Sequence, residues 1–371
     1  MNPRPASPRL RRLLPIAVAA AIGVGAGAGA YALANHGGSS SSTPSTVVVP
    51  AQPASSTSTT DSLAQLYQQD APGVVDITVQ STSSGGSQGF PFGQPQGKQQ
   101  SEAEGTGFVI DTKGDIMTAE HVVDSANSIT VHWQDGSSTK ATLVGSDKST
   151  DTAVIHVDVS ASKLHPLTLG NSGDVQPGDS VVAIGSPFGL AETMTAGIVS
   201  ATDRTITAPN QFSITGAIQT DAAINHGNSG GPLIETASNT VIGINDQIES
   251  DTNDNAGVGF AVPIDKSKAV AQTLIAGGKV QHAYMGIRIE DATGGAKITQ
   301  AVKGGPAAKA GLQAGDVITS FDGTPITSAD DITAAVSGAK SGEKVQVTVK
   351  RDGATKHVSV TLGVQPSSPS S

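Results

Sequence analysis

The pattern in this chain best suited to covalent chemistry is a serine framed by glycines, Gly227-Asn228-Ser229-Gly230-Gly231, within the longer stretch Thr220–Leu233. Gly227 lets the backbone turn tightly, and Gly230 and Gly231 let another chain approach without a side chain in the way. A turn of this kind can aim the amides of Gly227 and Ser229 at one point, where an oxyanion would form during acyl transfer. Ser229 is the candidate nucleophile, with Asn228 a candidate brace for the loop.

A serine hydroxyl needs a base to take its proton and a third group to orient that base. Eight histidines are available. His36 lies in a Ser/Gly tract and His357 in a polar run. His132, His156 and His165 fall in or beside alternating runs, where a solvent-facing role is expected. His121 differs, because it closes a short segment after two apolar runs, Gly105–Ile110 and Ile116–Thr118. Asp151 opens the apolar run Thr152–Ile155 and is the candidate acid. Asp124, Asp147 and Asp158 compete from positions that read as turns or exposed strand.

The chain order is therefore His121, Asp151, Ser229, that of chymotrypsin-like proteases. An α/β-hydrolase would need the order Ser, acid, His, leaving only His282 and His357 as bases in a chain without alternating βα units. The segments Gly105-Thr106-Gly107-Phe108, Thr118–Val123, Asp151–Val154, Gly185-Ser186-Pro187-Phe188-Gly189, Thr195–Ser200, Gln219–Asn225 and Gly257–Pro263 resemble the HtrA (DegP-like) serine proteases in order and spacing. With the C-terminal region, the resemblance spans roughly residues 62–363. It implies a mainly β, chymotrypsin-like fold of two six-stranded β-barrels. His121 and Asp151 would come from the first barrel and Ser229 from the second. Two departures stand out: His226 where the family usually has proline, and Thr152 where it usually has leucine.

Specificity is partly legible. Enzymes accepting Lys or Arg keep an acid at the base of the main pocket, and the corresponding residue, six before Ser229, is Ala223. With Ile242, Gly243, Ile244 and Asn245 as the opposing wall, a small apolar pocket is expected. At least one of the two isoleucines should belong to the strand's own core.

The elements that must position these groups are short alternating runs: Val74–Val79, Ser128–His132, Lys140–Val144, Val181–Ile184, Gly197–Ala201, Gly216–Gln219 and Val241–Ile244. Such spacing predicts barrels. A short helix is expected near Leu63, Leu66 and Tyr67, and a long irregular loop over 81–104. The protease domain is expected over 61–270. A helix over 263–279, with Ala269, Val270, Leu274 and Ile275 on its apolar side, should lead into a further domain over 283–363, followed by a disordered tail over 364–371.

That further domain, with Tyr284-Met285-Gly286-Ile287 and Gly305–Ile318, resembles a small α+β PDZ domain of the bacterial protease type. The amides of Met285, Gly286 and Ile287 would receive a peptide's terminal carboxylate. A helix over 329–336, carrying Ile332 and Val336, would form the other wall.

The 371 residues carry a net charge of −10 and no cysteine, so disulfides and thiolate metal sites are excluded. Without the four arginines of the first twelve residues the balance is −14, which argues against nucleic-acid binding. No nucleotide loop or metal-ligand spacing is evident, so no cofactor or metal is expected. Residues 1–12 read as a basic cytoplasmic tail. Leu13 to Ala34 is an uncharged apolar run of about 33 Å as helix, long enough to span a bilayer. A transmembrane anchor over 13–35 is expected, with a cleaved signal segment as the rival. Residues 36–60 are an uncharged Ser/Thr/Pro tether. The resulting expectation is a bacterial single-pass protein with extracytoplasmic domains. It would be a serine endopeptidase for unfolded proteins with a PDZ domain taking peptide C-termini, and the resemblance implies a homotrimer or multiple of trimers. The alternative is a peptide-binding chaperone or stress sensor whose protease domain is silent at rest.

Overall fold

The computed structural model describes residues 63–83, 99–185, 193–210, 212–225, 227–246 and 257–366. The expected tail, anchor and tether lie outside these residues, as does His226. Among the described residues no helix is long and apolar enough to cross a membrane.

After a short helix α1 (Leu63–Asp70), the first unit comprises β1 (Val74–Ser83), β2 (Gln99–Val109), β3 (Asp115–Thr118), α2 (Glu120–Val123), β4 (Ser128–His132), β5 (Ser138–Asp147) and β6 (Thr152–Val157). These strands close into a barrel in the order β1-β2-β3-β6-β5-β4. The period-2 pattern explains the closure. In β4, Ile129 and Val131 are buried while Ser128, Thr130 and His132 stay partly exposed. Inside, Ile77, Val79, Ile116, Ile155 and Trp133 pack together. The stretch 81–104 is not all loop. β1 runs to Ser83 and β2 starts at Gln99, because their backbones pair in register despite the polar side chains.

The second barrel comprises β7 (Ser180–Gly185), β8 (Thr193–Thr207), β9 (Ser213–Thr220), β10 (Pro232–Glu235), β11 (Thr240–Asp246) and β12 (Gly259–Pro263), in the order β10-β11-β12-β9-β8-β7. One apolar cluster joins the barrels: Val74, Phe108, Met117 and Val154 from the first meet Val182, Ile184, Ile234 and Ile244 from the second. The cleft between them is thus floored by continuous core.

Helix α3 (Ile264–Ile275) buries Ile264, Val270, Ala271 and Leu274. It stops short of the expected 279, since Gly277 takes φ +73° and the Gly277 and Gly278 amides donate to Leu274 O and Thr273 O, a helix-ending pair. Ala269 and Ile275 face outward, against expectation. The helix continues past 270 while packed on the first two units, with Leu274 lying against Gly145, so the expected boundary falls within it. Thr152, the departure from leucine, is fully buried. Its hydroxyl lies 3.0 Å from Ser267 Oγ of α3 and donates to Thr150 O, so the polar replacement is satisfied.

The third unit comprises β13 (Ala283–Tyr284), β14 (Ile287–Ala292), β15 (Gly295–Ala301), α4 (Pro306–Lys309), β16 (Val317–Phe321), β17 (Thr324–Pro325), α5 (Ala329–Gly338), β18 (Lys344–Arg351), β19 (Ala354–Thr361) and β20 (Gly363–Val364). Helix α5 begins with a reciprocal cap between Ser328 and Asp331. Its Ile332 joins Ile298, Ile318, Phe321 and Val347 in the core. The chain is still in a strand at Val364, and Gln365 N donates to His282 O, so residues 364–366 do not belong to a loose tail.

Candidate active site

β3 ends at Thr118 and turns at once into α2, which sets His121 against the residue preceding β6. His121 Nδ1 lies 2.6 Å from Asp151 Oδ2, and the His121 amide donates to Asp151 Oδ1 at 2.9 Å. Asp151 is fully buried and takes φ +46°, a conformation costly for a non-glycine residue. The turn before it is held by Asp147, whose Oδ2 accepts from the Thr150 amide and hydroxyl. Asn210 Nδ2 completes the support, reaching Asp151 Oδ1, Glu120 Oε2 and Lys148 O. Burial by itself would lower the pKa of His121. The bond to Asp151, with the charges of Asp151, Asp246 and Glu120, outweighs it and holds the imidazole above its ordinary value.

The Ser229 loop is clamped from both barrels. Thr106 of β2 donates from its amide to Ser229 O at 2.9 Å and from its hydroxyl to Gly227 O at 2.6 Å. Thr118 Oγ1 in turn donates to Thr106 O. From β11, Asn245 O accepts from the Gly230 amide and Asn245 N donates to Gly231 O, both at 2.8 Å. Asn228 braces the turn as expected: Oδ1 accepts from the Asn225 amide, and Nδ2 donates to Ala223 O. Gly227 and Gly230 take φ +100° and +83°. What approaches Gly230 and Gly231, however, is the protein itself. A Cβ on Gly230 would lie 2.3 Å from Thr106 O, and one on Gly231 would lie 2.3 Å from Ile184 O. Among the described residues no hydrogen bond joins Ser229 Oγ to His121; in a ligand-free site this contact is commonly loose.

A third acid, not anticipated, stands beside the pair. Asp246, at the end of β11, puts Oδ1 4.0 Å from His121 Nδ1. His121, Asp151 and Asp246 have ligand-type atoms within 4.8 Å of one another. The 2.6 Å between Nδ1 and Asp151 Oδ2 is a hydrogen-bond length, shorter than the roughly 3.3 Å between two donors on one tetrahedral ion. This is the geometry of a hydrogen-bonded histidine–carboxylate pair.

The expected specificity wall lies in β11. Ile242 and Ile244 are both fully buried core residues. Asn245 is buried, with Nδ2 donating to Pro232 O, and its backbone holds the Ser229 loop. Ala223 remains half-buried, its carbonyl fixed by Asn228 and by Thr195 Oγ1.

A cavity of about 330 Å³ lies at the third unit. Tyr284, Met285, Gly286, Ile287, Ile332 and Val336 all line it, as the sequence suggested. Its far side was not foreseen, for Ser149, Thr150, Phe212–Thr215 and Lys266 of the protease region face the same space. Lys266 Nζ donates to Thr215 O and Oγ1, and burial lowers its pKa despite the charge of Asp203. His156 is not simply solvent-facing either, since its Nδ1 lies 2.8 Å from Asp115 Oδ1.

Comparison with known proteins matches residues 105–244 to the trypsin-like peptidase domain and 283–362 to the PDZ domain. A probable periplasmic serine endoprotease DegP-like of Pseudomonas savastanoi pv. phaseolicola is 42% identical over 290 residues, covering 74% of this chain and 59% of that protein. Its counterpart in a Marinomonas species is 40% identical over 293 residues, covering 75% and 61%. The chain thus spans about three fifths of the length of these relatives. Among solved structures, the HtrA-type protease AlgW with decapeptide is 32% identical with a TM-score of 0.68, covering 82% of this chain and 99% of that one. The serine endoprotease from Yersinia pestis is 32% identical with a TM-score of 0.61, covering 82% and 98%. With two closed barrels, a PDZ domain and relatives at this identity over nearly their whole solved length, the chain belongs to the HtrA-type serine proteases.

Proposed function

We propose that the protein is a serine endopeptidase in which Ser229 attacks the peptide carbonyl, His121 accepts and returns the proton, and Asp151 orients the imidazole and stabilises its charged form. The observation that carries this reading is the 2.6 Å His121–Asp151 bond, set on one barrel beside a serine loop whose carbonyls are clamped by that same barrel. The amides of Gly227 and Ser229 hold the oxyanion, in a loop whose glycine conformations suit that task.

Unfolded polypeptide is the substrate class, taken in an apolar pocket beside Ala223. The PDZ groove receives peptide C-termini through the Met285–Ile287 backbone. The two relatives described above are named periplasmic, and we extend an extracytoplasmic location to this chain, with residues 13–35 as anchor and a homotrimer as the assembly. The test is digestion of an unfolded casein-like protein by the full chain and by Ser229→Ala, with and without a peptide ending in an apolar residue. Cleavage abolished by the substitution supports the reading. Cleavage that survives it, or no cleavage in either condition, overturns it in favour of a chaperone or sensor.

A further inference from the structure

Asp246 is the buried acid that the roles of His121, Asp151 and Ser229 leave without a task. It closes β11 directly after Asn245, whose backbone holds the nucleophile loop. It is 1% exposed, and neither carboxyl oxygen has a hydrogen-bond partner among the described residues. Buried polar groups are almost always partnered, so an orphaned carboxyl in such a place calls for a reason.

Its surroundings supply one. From α2, the His121 ring faces it at 4.0 Å. From the turn before β6, Asp151 adds a negative charge within 4.8 Å. Glu120, also on α2, acts on both His121 and Asp151 and lies 3.6 Å from Lys148 Nζ. The positive charge that reaches Asp246 is therefore that of a protonated His121.

We propose that Asp246 is a positioning residue for the base, a second acid that acts on His121 through space and sets the strength of that base by its own ionisation. The proposal rests on the reading of His121 as the general base for Ser229. Burial, and after it the charge of Asp151, push the Asp246 carboxyl up to about 8, while His121 pulls it back. At lower pH Asp246 keeps its proton and is neutral. Asp151 alone then faces the imidazolium formed when His121 Nε2 takes the proton from Ser229 Oγ. At higher pH the Asp246 proton has passed to solvent. Two carboxylates then face that imidazolium, and the charge developing on the ring is better stabilised. The two groups titrate as a coupled set, so the ionisations belong to the pair.

The experiment is the pH dependence of kcat/KM on an unfolded substrate, from about pH 5 to 10, for the full chain, Asp246→Asn and Asp246→Ser, with the melting temperature of each. The native chain is expected to rise in two steps, the second across neutral to mildly alkaline pH. Both variants should rise once and then stay level. In parallel, the His121 Cε1 proton is followed by NMR in Ser229→Ala, with and without Asp246→Asn. Two inflections are expected with Asp246 and one without it. Coincident profiles, or loss by one constant factor at every pH with a single inflection throughout, would overturn the proposal. Failure of the underlying reading would look different: cleavage would be absent or would survive Ser229→Ala. The NMR titration reads Asp246 in either case.

Discussion

His282 Nε2 lies 2.8 Å from both carboxylate oxygens of Asp147, so the segment entering the PDZ domain is fastened to the turn that presents Asp151. The same Asp147 binds Thr150, one residue from the acid, and Ser149 Oγ donates to Gln365 Oε1 at the far end of the PDZ unit. Asp147, expected at a turn or an exposed strand position, is in fact a buried joint between domains.

His282→Ala should therefore loosen the PDZ domain from the turn before Asp151, at one end of the cavity that His282 also lines. The response of proteolysis to an apolar-ended peptide is expected to change by roughly 2- to 30-fold, the range for residues that couple two sites. Peptide titrations of the two proteins, read as cleavage rate, would check it. An unchanged response would mean the joint is only structural.

Ser229→Ala should lower turnover by about 10⁴–10⁶, and Asp151→Asn by about 10⁴ with the fold intact. Steady-state cleavage of a quenched peptide, alongside thermal melts, separates the two effects. The asparagine would leave the His121 ring in the wrong tautomer.

Activity should fall on acidification as His121 takes up a proton. Because its pKa is raised, the fall should be centred above the ordinary value of about 6.5. The sign for stability is opposite to that for activity. A raised histidine pKa adds stability that is fully present below the unfolded value and is lost as pH rises through the folded one. The melting temperature of His121→Ala relative to the native chain should thus be closest at alkaline pH and furthest apart below about pH 6.5.

Gly230→Ala introduces a methyl group 2.3 Å from Thr106 O at φ +83°. The loop must move, and a displacement of about 1 Å can cost some 10²-fold in rate. Loss of that order, measured with the melt little changed, would show that the glycine serves the approach of the first barrel.

Ser267→Ala removes one partner from the buried Thr152 hydroxyl and should cost about 1 kcal/mol. Thr152→Val with Ser267→Ala should cost less than the sum of the single changes, because they share one contact. Denaturant unfolding of the four proteins completes the cycle.

Much of this architecture is legible in the sequence because the determinants are local. Alternation in Ser128–His132 fixes which face of β4 turns inward, and the run Gly227–Gly231 announces its own turn. Asp246 could not be read this way. Its meaning arises only when β11 of one barrel meets α2 of the other, and nothing in Asn245-Asp246 encodes that distance. Likewise the far wall of the cavity beside Tyr284 could not be read, because Lys266 and Phe212–Thr215 share that space with the third unit only in the folded chain. For Ile242 and Ile244 the sequence left open which belonged to the core, and both are buried there, a distinction that appears only once the barrel closes.

Thr106 holds the carbonyls of Gly227 and Ser229 from a strand more than a hundred residues upstream. A chain emerging from synthesis therefore carries His121 and Asp151 well before the Ser229 loop exists to be clamped. On the roles proposed above, neither barrel carries the full set alone, so cleavage should wait until the two have met, and a half-made chain should spare its neighbours.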